Sequence, residues 1–221
     1  MRPSFVRAVV LLLCCGGVVA AKAAPFAYVS NEGSSSVSII DTATDKVVST
    51  MKIGQKPRGI AISPDGKRLY ISDQTANALR VIDTDKNEVV GRYPVKQAGN
   101  FHPVVIDEPN HRLFVGCRKA PMLVVLDSES GKELAGIPIP GEIDDLYLDS
   151  ARKRLYACCG EGYLAVIKQQ DADRYEVQEK IPTAKGAKTC FFDADSGRLY
   201  LAVPRQEGKE GPEIRVYQAR P

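Results

Sequence analysis

The sequence predicts an all-β protein built from short antiparallel strands, and three observations carry that prediction. Apolar and polar residues alternate over short runs, which places side chains on one face of a sheet, and no window keeps a helical period for three turns. The chain holds 18 glycines and 14 prolines, enough to separate many strands by turns. A block of an aromatic, an apolar and a small residue recurs at intervals of 42, 44, 42 and 44 residues, at Tyr28, Tyr70, Phe114, Tyr156 and Tyr200. A period of about 40–45 residues with four strands per unit is typical of a β-propeller, whose blades must stack to bury their faces.

The clearest copy of this repeat runs from Arg58 to Asp83 and reads as strand, turn, strand, longer loop and strand. Its turn is Ser63-Pro64-Asp65-Gly66, in which Pro presets φ at about −65°, Asp can bond its own backbone and Gly tolerates positive φ. A second marker closes an apolar strand thirteen residues after each of the first three aromatics, at Asp41, Asp83 and Asp127.

The sequence predicts 18 strands in five units. The first unit lacks its innermost strand and the last unit lacks its outermost one, so the chain makes about 4.5–5 blades. From the axis outward, the complete units are predicted at 59–62, 69–72, 78–82 and 88–95, at 103–106, 113–116, 123–126 and 133–139, and at 145–148, 155–158, 163–168 and 175–181, followed by the last unit at 189–192, 199–203 and 213–217.

Because 18 strands do not divide into a ring that shares one blade between its ends, the prediction favours an open or incompletely closed arrangement. Three explanations remain: a tight five-blade ring with two incomplete blades, a dimer that shares strands, or a shortened gene product. Each leaves or covers an unpaired sheet edge, which invites self-association.

The N-terminal segment is predicted to be a secretory signal peptide at 1–23, followed by one domain at 24–221. Two arginines precede an apolar run from Ala8 to Ala21, and Ala21-Lys22-Ala23 offers a small-x-small cleavage pattern. That run is shorter than the roughly 20 apolar residues of a transmembrane span, so none is predicted. The segment holds three of the 30 Lys and Arg and none of the 27 Asp and Glu, so the rest of the chain has no net charge. A nucleic-acid partner is not expected, because such proteins carry a basic excess.

Several motifs resemble one family of propellers. They are Ala27-Tyr28-Val29-Ser30-Asn31, Val37-Ser38-Ile39-Ile40-Asp41-Thr42, and Arg58-Gly59-Ile60-Ala61-Ile62-Ser63-Pro64-Asp65-Gly66. Residues 27–95 closely resemble the YVTN repeat, and residues 99–221 resemble it more distantly. The resemblance implies a secreted or periplasmic propeller, usually of seven blades. It also implies a binding or surface module, although relatives of the fold serve quinoprotein and haem enzymes. Seven blades at this period would need about 300 residues, more than this chain has.

Two sets of polar residues are candidates for a ligand site at the channel mouth. The first set precedes each innermost strand, where convergent charges suit a small polar or anionic ligand. The second set follows the next strand and lines the same or the opposite rim. An alternative is that both sets are solvated loop residues. The first set is Arg58, His102, Asp144 and Lys188, and the second is Glu32, Gln74, Arg118, Glu161 and Arg205.

A catalytic function has less support from the sequence than a binding function, and no catalytic residue, metal or cofactor is predicted. His102 could act as a base or an axial haem ligand, but the C-x-x-C-H attachment motif is absent, and His111 follows a turn. Asp144 and Asp145 with Glu142 resemble the cation cluster of calcium-dependent lactonase propellers. Adjacent strand residues point to opposite faces, however, so an acidic turn is the favoured interpretation.

The cysteines of the predicted domain are Cys117, Cys158, Cys159 and Cys190, an even number for an oxidising compartment. Cys117 and Cys159 hold equivalent positions in neighbouring units, which are expected to lie too far apart to bond. Cys190 is predicted within the core, where a free thiol behaves as a small hydrophobe. Mostly free thiols are therefore expected.

The leading hypothesis is a non-catalytic secreted or periplasmic module that binds a protein or a small polar ligand through its loop face. The alternative is an accessory protein or enzyme of a quinoprotein or lactonase-like pathway. A third possibility is a structural surface module that assembles through its unpaired edge.

Overall fold

The computed structural model describes residues 26–208 and 211–220, so the predicted signal peptide lies outside the described residues. Within these ranges it has 18 β-strands and one short 3-10 helix, Glu108–Asn110. The strands are β1 (Phe26–Asn31), β2 (Ser36–Asp41), β3 (Lys46–Lys52), β4 (Pro57–Ile62), β5 (Arg68–Asp73), β6 (Ala78–Asp83), β7 (Glu88–Pro94), β8 (Gly99–Asp107), β9 (Arg112–Lys119), β10 (Met122–Asp127), β11 (Glu133–Pro138), β12 (Ile143–Asp149), β13 (Arg154–Cys159), β14 (Tyr163–Gln169), β15 (Tyr175–Pro182), β16 (Thr189–Asp193), β17 (Arg198–Val203) and β18 (Glu213–Gln218).

These strands form five antiparallel sheets, each of which takes its strands in sequence order. Sheets β4–β7, β8–β11 and β12–β15 have four strands, whereas β1–β3 and β16–β18 have three. The innermost strands β4, β8, β12 and β16 contact one another in turn, so the sheets are successive blades of a propeller-like fold that does not close. The predicted fold class and the distribution of strands among the blades are confirmed. The main difference is in β8, which begins at Gly99 rather than four residues later.

In each of the first four blades, the recurring aromatic residue packs against the following blade. Tyr70 belongs to the apolar cluster shared with the third blade, Phe114 to the cluster shared with the fourth, and Tyr156 to the cluster shared with the fifth. Tyr28 packs in the same way on the second blade. Burying such a side chain contributes on the order of 1.5–3 kcal/mol. Because these aromatic residues recur every 42–44 residues and each packs between two blades, the core has the same period as the sequence.

The aspartate that closes the third strand of each of the first three blades forms the turn to the next strand. Its Oδ1 accepts backbone N–H groups from the second and third residues after it, as Asp83 does from Asp85 at 3.0 Å. The hydrogen bond from the N–H of Lys86 holds the pKa of Asp83 below its usual value. The fourth residue after each aspartate has positive φ, which explains the residue types found there, Asp45, Asn87 and Gly131.

The expectation of mostly free thiols is wrong for two of the four cysteines. Cys158 and Cys190 form a disulfide, with Cα atoms 6.5 Å apart, that joins the fourth blade to the fifth. The two residues lie on facing surfaces of neighbouring sheets, a pairing that a comparison of equivalent positions in the repeat does not consider. Cys117 and Cys159 are free and buried, and burial raises the pKa of each thiol to about 12.

Over the described ranges, no helix has both the length and the apolar character that crossing a membrane would require.

Candidate functional site

A row of polar side chains lies where the innermost strands begin, at one rim of the propeller. His102 Nδ1 is 3.0 Å from Asp144 Oδ1, and Lys188 Nζ is 3.5 Å from Asp144 Oδ2. The Arg118 guanidinium also hydrogen-bonds the Asp144 carboxylate. Three members of the first predicted set therefore meet at Asp144, together with one member of the second set.

The two predicted sets lie on the same rim and pair from blade to blade. Arg58 Nη2 is 2.9 Å from Glu32 Oε1, His102 Nε2 is 3.4 Å from Gln74 Nε2, and Asp144 bonds Arg118. In each pair, the residue on the innermost strand contacts a residue of the preceding blade at the end of β9 or directly after β1 or β5. We call these six residues and Lys188 the rim network. Its seven members are Glu32, Arg58, Gln74, His102, Arg118, Asp144 and Lys188.

The remaining two members of the second set lie outside the rim network. Glu161 Oε2 accepts the backbone N–H of Gly141 at 2.6 Å and so holds the connection that leads into β12. Arg205 occupies the equivalent position after β17 and is exposed.

A local irregularity of the innermost strands aims these side chains. The register of β4 shifts between Pro57 and Ile60, that of β8 between Phe101 and Val104, and that of β12 between Ile143 and Asp145. Arg58, His102 and Asp144 lie within these three shifts. A β-bulge changes the direction of a side chain and bends the strand. The same irregularity in three blades therefore directs one polar residue from each blade toward the cleft between them.

Gly59 is required by the close approach of β4 to β8. A Cβ on this residue would lie 1.8 Å from the backbone oxygen of His102, closer than any real contact. The residue after Arg58 must therefore be glycine, because only glycine lets the two strands bring Arg58 and His102 to the same cleft.

His102 is the most buried member of the rim network, with a side chain only 4% exposed. Both ring nitrogens have partners, because Nδ1 faces the Asp144 carboxylate and Nε2 faces the Gln74 amide. When Nδ1 donates to the Asp144 carboxylate, Nε2 can accept from the Gln74 amide. The side-chain oxygen of Asn100 in turn accepts from the Gln74 amide.

The two neighbouring aspartates of β12 have opposite electrostatic environments. Burial favours a raised pKa for Asp144, but the hydrogen bond from His102 and the charges of Arg118 and Lys188 outweigh burial and lower it. Burial raises the pKa of Asp145, which accepts the backbone N–H of Cys190 at 2.8 Å. Asp144 therefore binds side chains of the rim network, whereas Asp145 binds the backbone of β16.

A cleft of about 460 Å³ opens beside the rim network, along the inner edges of the middle blades. Its lining includes the polar residues Arg58, His102, Asp144, Asp145, Tyr147 and Thr189, with apolar residues of β4, β8 and β12 below them. Among the described residues, no group of three His, Cys, Asp or Glu side chains has a metal-binding arrangement.

Sequence reasoning missed three features of this site. Glu142 faces both Arg118, at 3.5 Å, and Lys188, at 3.8 Å, although the sequence indicated only an acidic turn there. Tyr147 lines the cleft from the interior of the predicted strand 145–148, and Asp145, which was interpreted only as part of the acidic turn, lines it from the first residue of that strand. The available signal was the run of polar residues at the start of β12, which is unusual for a strand next to the axis.

Comparison with known proteins agrees with this architecture. A family model described as "Lactonase, 7-bladed beta-propeller" matches residues 15–93. The YncE protein of Salmonella typhi is 27% identical over 188 residues, which cover 83% of this chain and 52% of that protein. YncE of Escherichia coli (strain K12) is 27% identical over 198 residues, or 87% of this chain and 55% of that protein. The chain thus spans about half the length of the curated relatives it matches.

Solved structures show the same fold at lower identity. Hydrazine synthase of Kuenenia stuttgartiensis superposes with a TM-score of 0.71 at 17% identity, over 86% of this chain and 58% of that one. The dihydro-heme d1 dehydrogenase NirN superposes with a TM-score of 0.64 at 16% identity, over 87% of this chain and 41% of that one.

A third sequence relative is the seven-bladed beta-propeller protein Rv1057 of Mycobacterium tuberculosis. It is 29% identical over 122 residues, or 52% of this chain and 30% of that protein. The repeat, the fold and these relatives together support a YVTN-like β-propeller family protein.

Proposed function

We propose that this protein is a non-catalytic binding module of the periplasm or the extracellular space, and that it binds a small polar ligand with an anionic group in the rim cleft. The observation that carries the proposal is that Arg58, His102 and Asp144 of the rim network line one cleft, and that the network has a partly exposed cation at each end. The side chains of Arg58 and Lys188 are 36% and 33% exposed, respectively. The secreted or periplasmic location rests on the signal-like N-terminal segment.

The contacts of His102 and Asp144 support binding rather than catalysis. Both ring nitrogens of His102 are occupied and its side chain is nearly inaccessible, so a base at this position would first have to lose a partner. Asp144 is held by three cationic or donor groups, which keep it ionised and in place. A ligand carboxylate would replace Glu32 at Arg58 or approach Lys188, since charge-assisted hydrogen bonds are the strongest that the site can offer.

The test is a thermal-unfolding screen of the purified protein with small mono- and dicarboxylic acids and sugar acids. A ligand at 100 times its Kd should stabilise the fold by about 2.7 kcal/mol. We expect Arg58→Gln and Lys188→Gln to remove this shift. Lys86→Gln is the matched control, because Lys86 is an exposed cation in a turn of the second blade, away from the rim. If no acid shifts the transition, or if both rim variants respond as the wild type does, the proposed site is wrong.

A lactonase-like hydrolase or an accessory of a quinoprotein pathway is the second candidate. The family model that matches residues 15–93 carries the name lactonase, and both solved structures described above are named for enzymes. Turnover of aliphatic lactones by the purified protein that is lost in Asp144→Ala would replace the binding proposal with this one. Bound metal in elemental analysis, or a visible absorption band, would point in the same direction.

A further inference from the structure

Asp145 carries a charge that the rim cleft does not neutralise. Of the two carboxylates that line the cleft among the described residues, Asp144 forms ion pairs with Arg118 and Lys188. No Lys, Arg or His nitrogen of the described residues forms an ion pair with Asp145. Its Oδ2 accepts the backbone N–H of Cys190 at 2.8 Å, and its Oδ1 has no partner in the same part of the chain. Burial raises the pKa of Asp145, as expected of a carboxylate that lacks a compensating cation.

The equivalent positions of the neighbouring innermost strands carry no charge. They are the residues that directly follow the polar rim residue of each strand, namely Gly59, Pro103 and Thr189, and all three line the cleft. Asp145 is thus the one ionisable residue among these four equivalent positions of the described chain. Its strand, β12, contacts β8 on one side and β16 on the other, so a described blade flanks Asp145 on both sides.

The hydrogen bond from Cys190 does not explain why this position is charged. An asparagine would accept the same backbone N–H through its amide oxygen. The third blade packs on the fourth with Pro103 at the equivalent position, although proline offers no side-chain acceptor. Stacking of the blades therefore requires neither the charge nor the contact, and a ligand that needs a carboxylate is the better explanation.

Tyr147 adds an acceptor and an aromatic ring on the same side of β12. It lies two residues after Asp145 in the strand, so the two side chains share one face, and both line the cleft. The Tyr147 hydroxyl donates to the backbone oxygen of Cys190 at 2.8 Å, which leaves its own oxygen able to accept a hydrogen bond. An ammonium group has three donors and is attracted to the face of an aromatic ring. Asp145 and Tyr147 together therefore suit a primary ammonium group.

We propose that Asp145 binds an ammonium group of the ligand, and that the ligand of the rim cleft is therefore an amino acid. This inference rests on the proposed function, which assigns the carboxylate of the ligand to Arg58 or Lys188. An acid without an amino group would bring a second negative charge into the cleft and leave Asp145 uncompensated. An amino acid supplies one opposite charge to each part of the site.

A divalent metal ion fits the site less well. Calcium typically takes about six to eight oxygen ligands. The carboxylate of Asp144 is held by His102, Arg118 and Lys188, and adjacent strand residues point to opposite faces, so Asp145 is the carboxylate left for a cation. A single carboxylate matches an ammonium group better than a metal ion.

The test compares amino acids with the same acids lacking the amino group. The purified full chain is screened by thermal unfolding with the protein amino acids, β-alanine and γ-aminobutyrate, each beside its deaminated acid. Calorimetric titration then measures the Kd of both members of each pair that shifts the transition. We expect at least one amino acid to bind about tenfold or more tightly than its deaminated acid, because it forms an additional charge-assisted hydrogen bond.

Asp145→Asn should remove this preference without weakening the binding of the deaminated acid. Because asparagine can still accept the N–H of Cys190, the variant should unfold at the midpoint of the wild type. Arg58→Gln, in contrast, should weaken both members of the pair. Asp85→Asn is the matched control, since Asp85 is an exposed aspartate in the turn between β6 and β7, and it should keep the preference.

The outcomes separate this inference from the proposed function. If deaminated acids bind and no amino acid binds more tightly than its counterpart, the ammonium site is wrong and the proposed function stands. If neither class binds, both are wrong. A preference that survives Asp145→Asn, or calcium binding that this variant abolishes, would also overturn the inference.

Discussion

The fourth and fifth blades have the same sequence pattern in very different surroundings. Val166 of the fourth blade is 9% exposed, whereas its equivalent Val216 is 55% exposed. Likewise Leu164 is 2% exposed and its equivalent Ile214 is 63% exposed. Among the described residues, a following blade covers the fourth blade but not the fifth. The comparison teaches that, in a stacked repeat, the apolar pattern defines a face that can be buried, and the neighbouring blade decides whether it is.

The largest effect is expected when the two blades are truncated at equivalent positions. Leu164→Ala removes a buried side chain and leaves a cavity, which should lower the free energy of unfolding by about 2–5 kcal/mol. Ile214→Ala should change it by no more than about 0.5 kcal/mol, because the side chain is already in solvent. Urea denaturation followed by circular dichroism measures both. Equal losses would mean that the outer face of the fifth blade is covered in solution.

The next effect concerns the bond between these blades. Replacing both Cys158 and Cys190 by alanine should cost about 2–4 kcal/mol of stability, because the disulfide limits the unfolded chain. Dithiothreitol should lower the unfolding midpoint of the wild type and leave that of the double variant unchanged. Cys159→Ala is the matched control, since its free thiol lies in the same strand as Cys158, and it should keep the sensitivity to reductant. A wild type that is indifferent to reductant would contradict the assignment.

At the rim, the fourth blade contributes Asp144 where the fifth contributes Lys188. Asp144 is hydrogen-bonded and its pKa is lowered in the folded protein. Its carboxylate therefore stabilises the fold fully above the unfolded pKa of about 3.9, and this stabilisation is lost as the pH falls through the lower folded pKa. Asp144→Asn should therefore reduce stability by about 1–3 kcal/mol at pH 7, and the difference should shrink below about pH 4.

Lys188→Gln is the counterpart of this experiment. Lys188 is one-third exposed, and its nearest partner oxygen is 3.5 Å away, so the loss should be at most about 1 kcal/mol. Stability measured from pH 3 to pH 8 separates the two variants. A difference between Asp144→Asn and wild type that stays constant with pH would show that the carboxylate is not stabilised by its neighbours.

The sequence predicted the blades well because their cause is local. Alternation, turn residues such as Asp83 and the recurring aromatic all act within one repeat, and each is visible in one copy of the sequence. The rim network was predicted residue by residue, because aligned repeats place Arg58, His102 and Asp144 at equivalent positions. Its pairing was not predicted, since each contact joins two blades through a β-bulge that leaves no mark in the alternation. The disulfide also joins two blades. It was missed because Cys158 and Cys190 hold different positions in their repeats, and a comparison of equivalent positions does not pair them.

The smallest effect tests a single hydrogen bond between the two blades. Tyr147 donates its hydroxyl to the backbone oxygen of Cys190 at 2.8 Å, so Tyr147→Phe should cost about 1 kcal/mol. The fifth blade already carries phenylalanine at the equivalent position, Phe191, which is 60% exposed. The converse change Phe191→Tyr should therefore alter stability by less than about 0.5 kcal/mol, because the side chain is exposed and no blade of the described residues follows it with an acceptor. Thermal unfolding of both variants and their parent resolves the difference. A gain in stability for Phe191→Tyr would indicate that the fifth blade has a neighbour in solution, and the contrast between the two blades would then disappear.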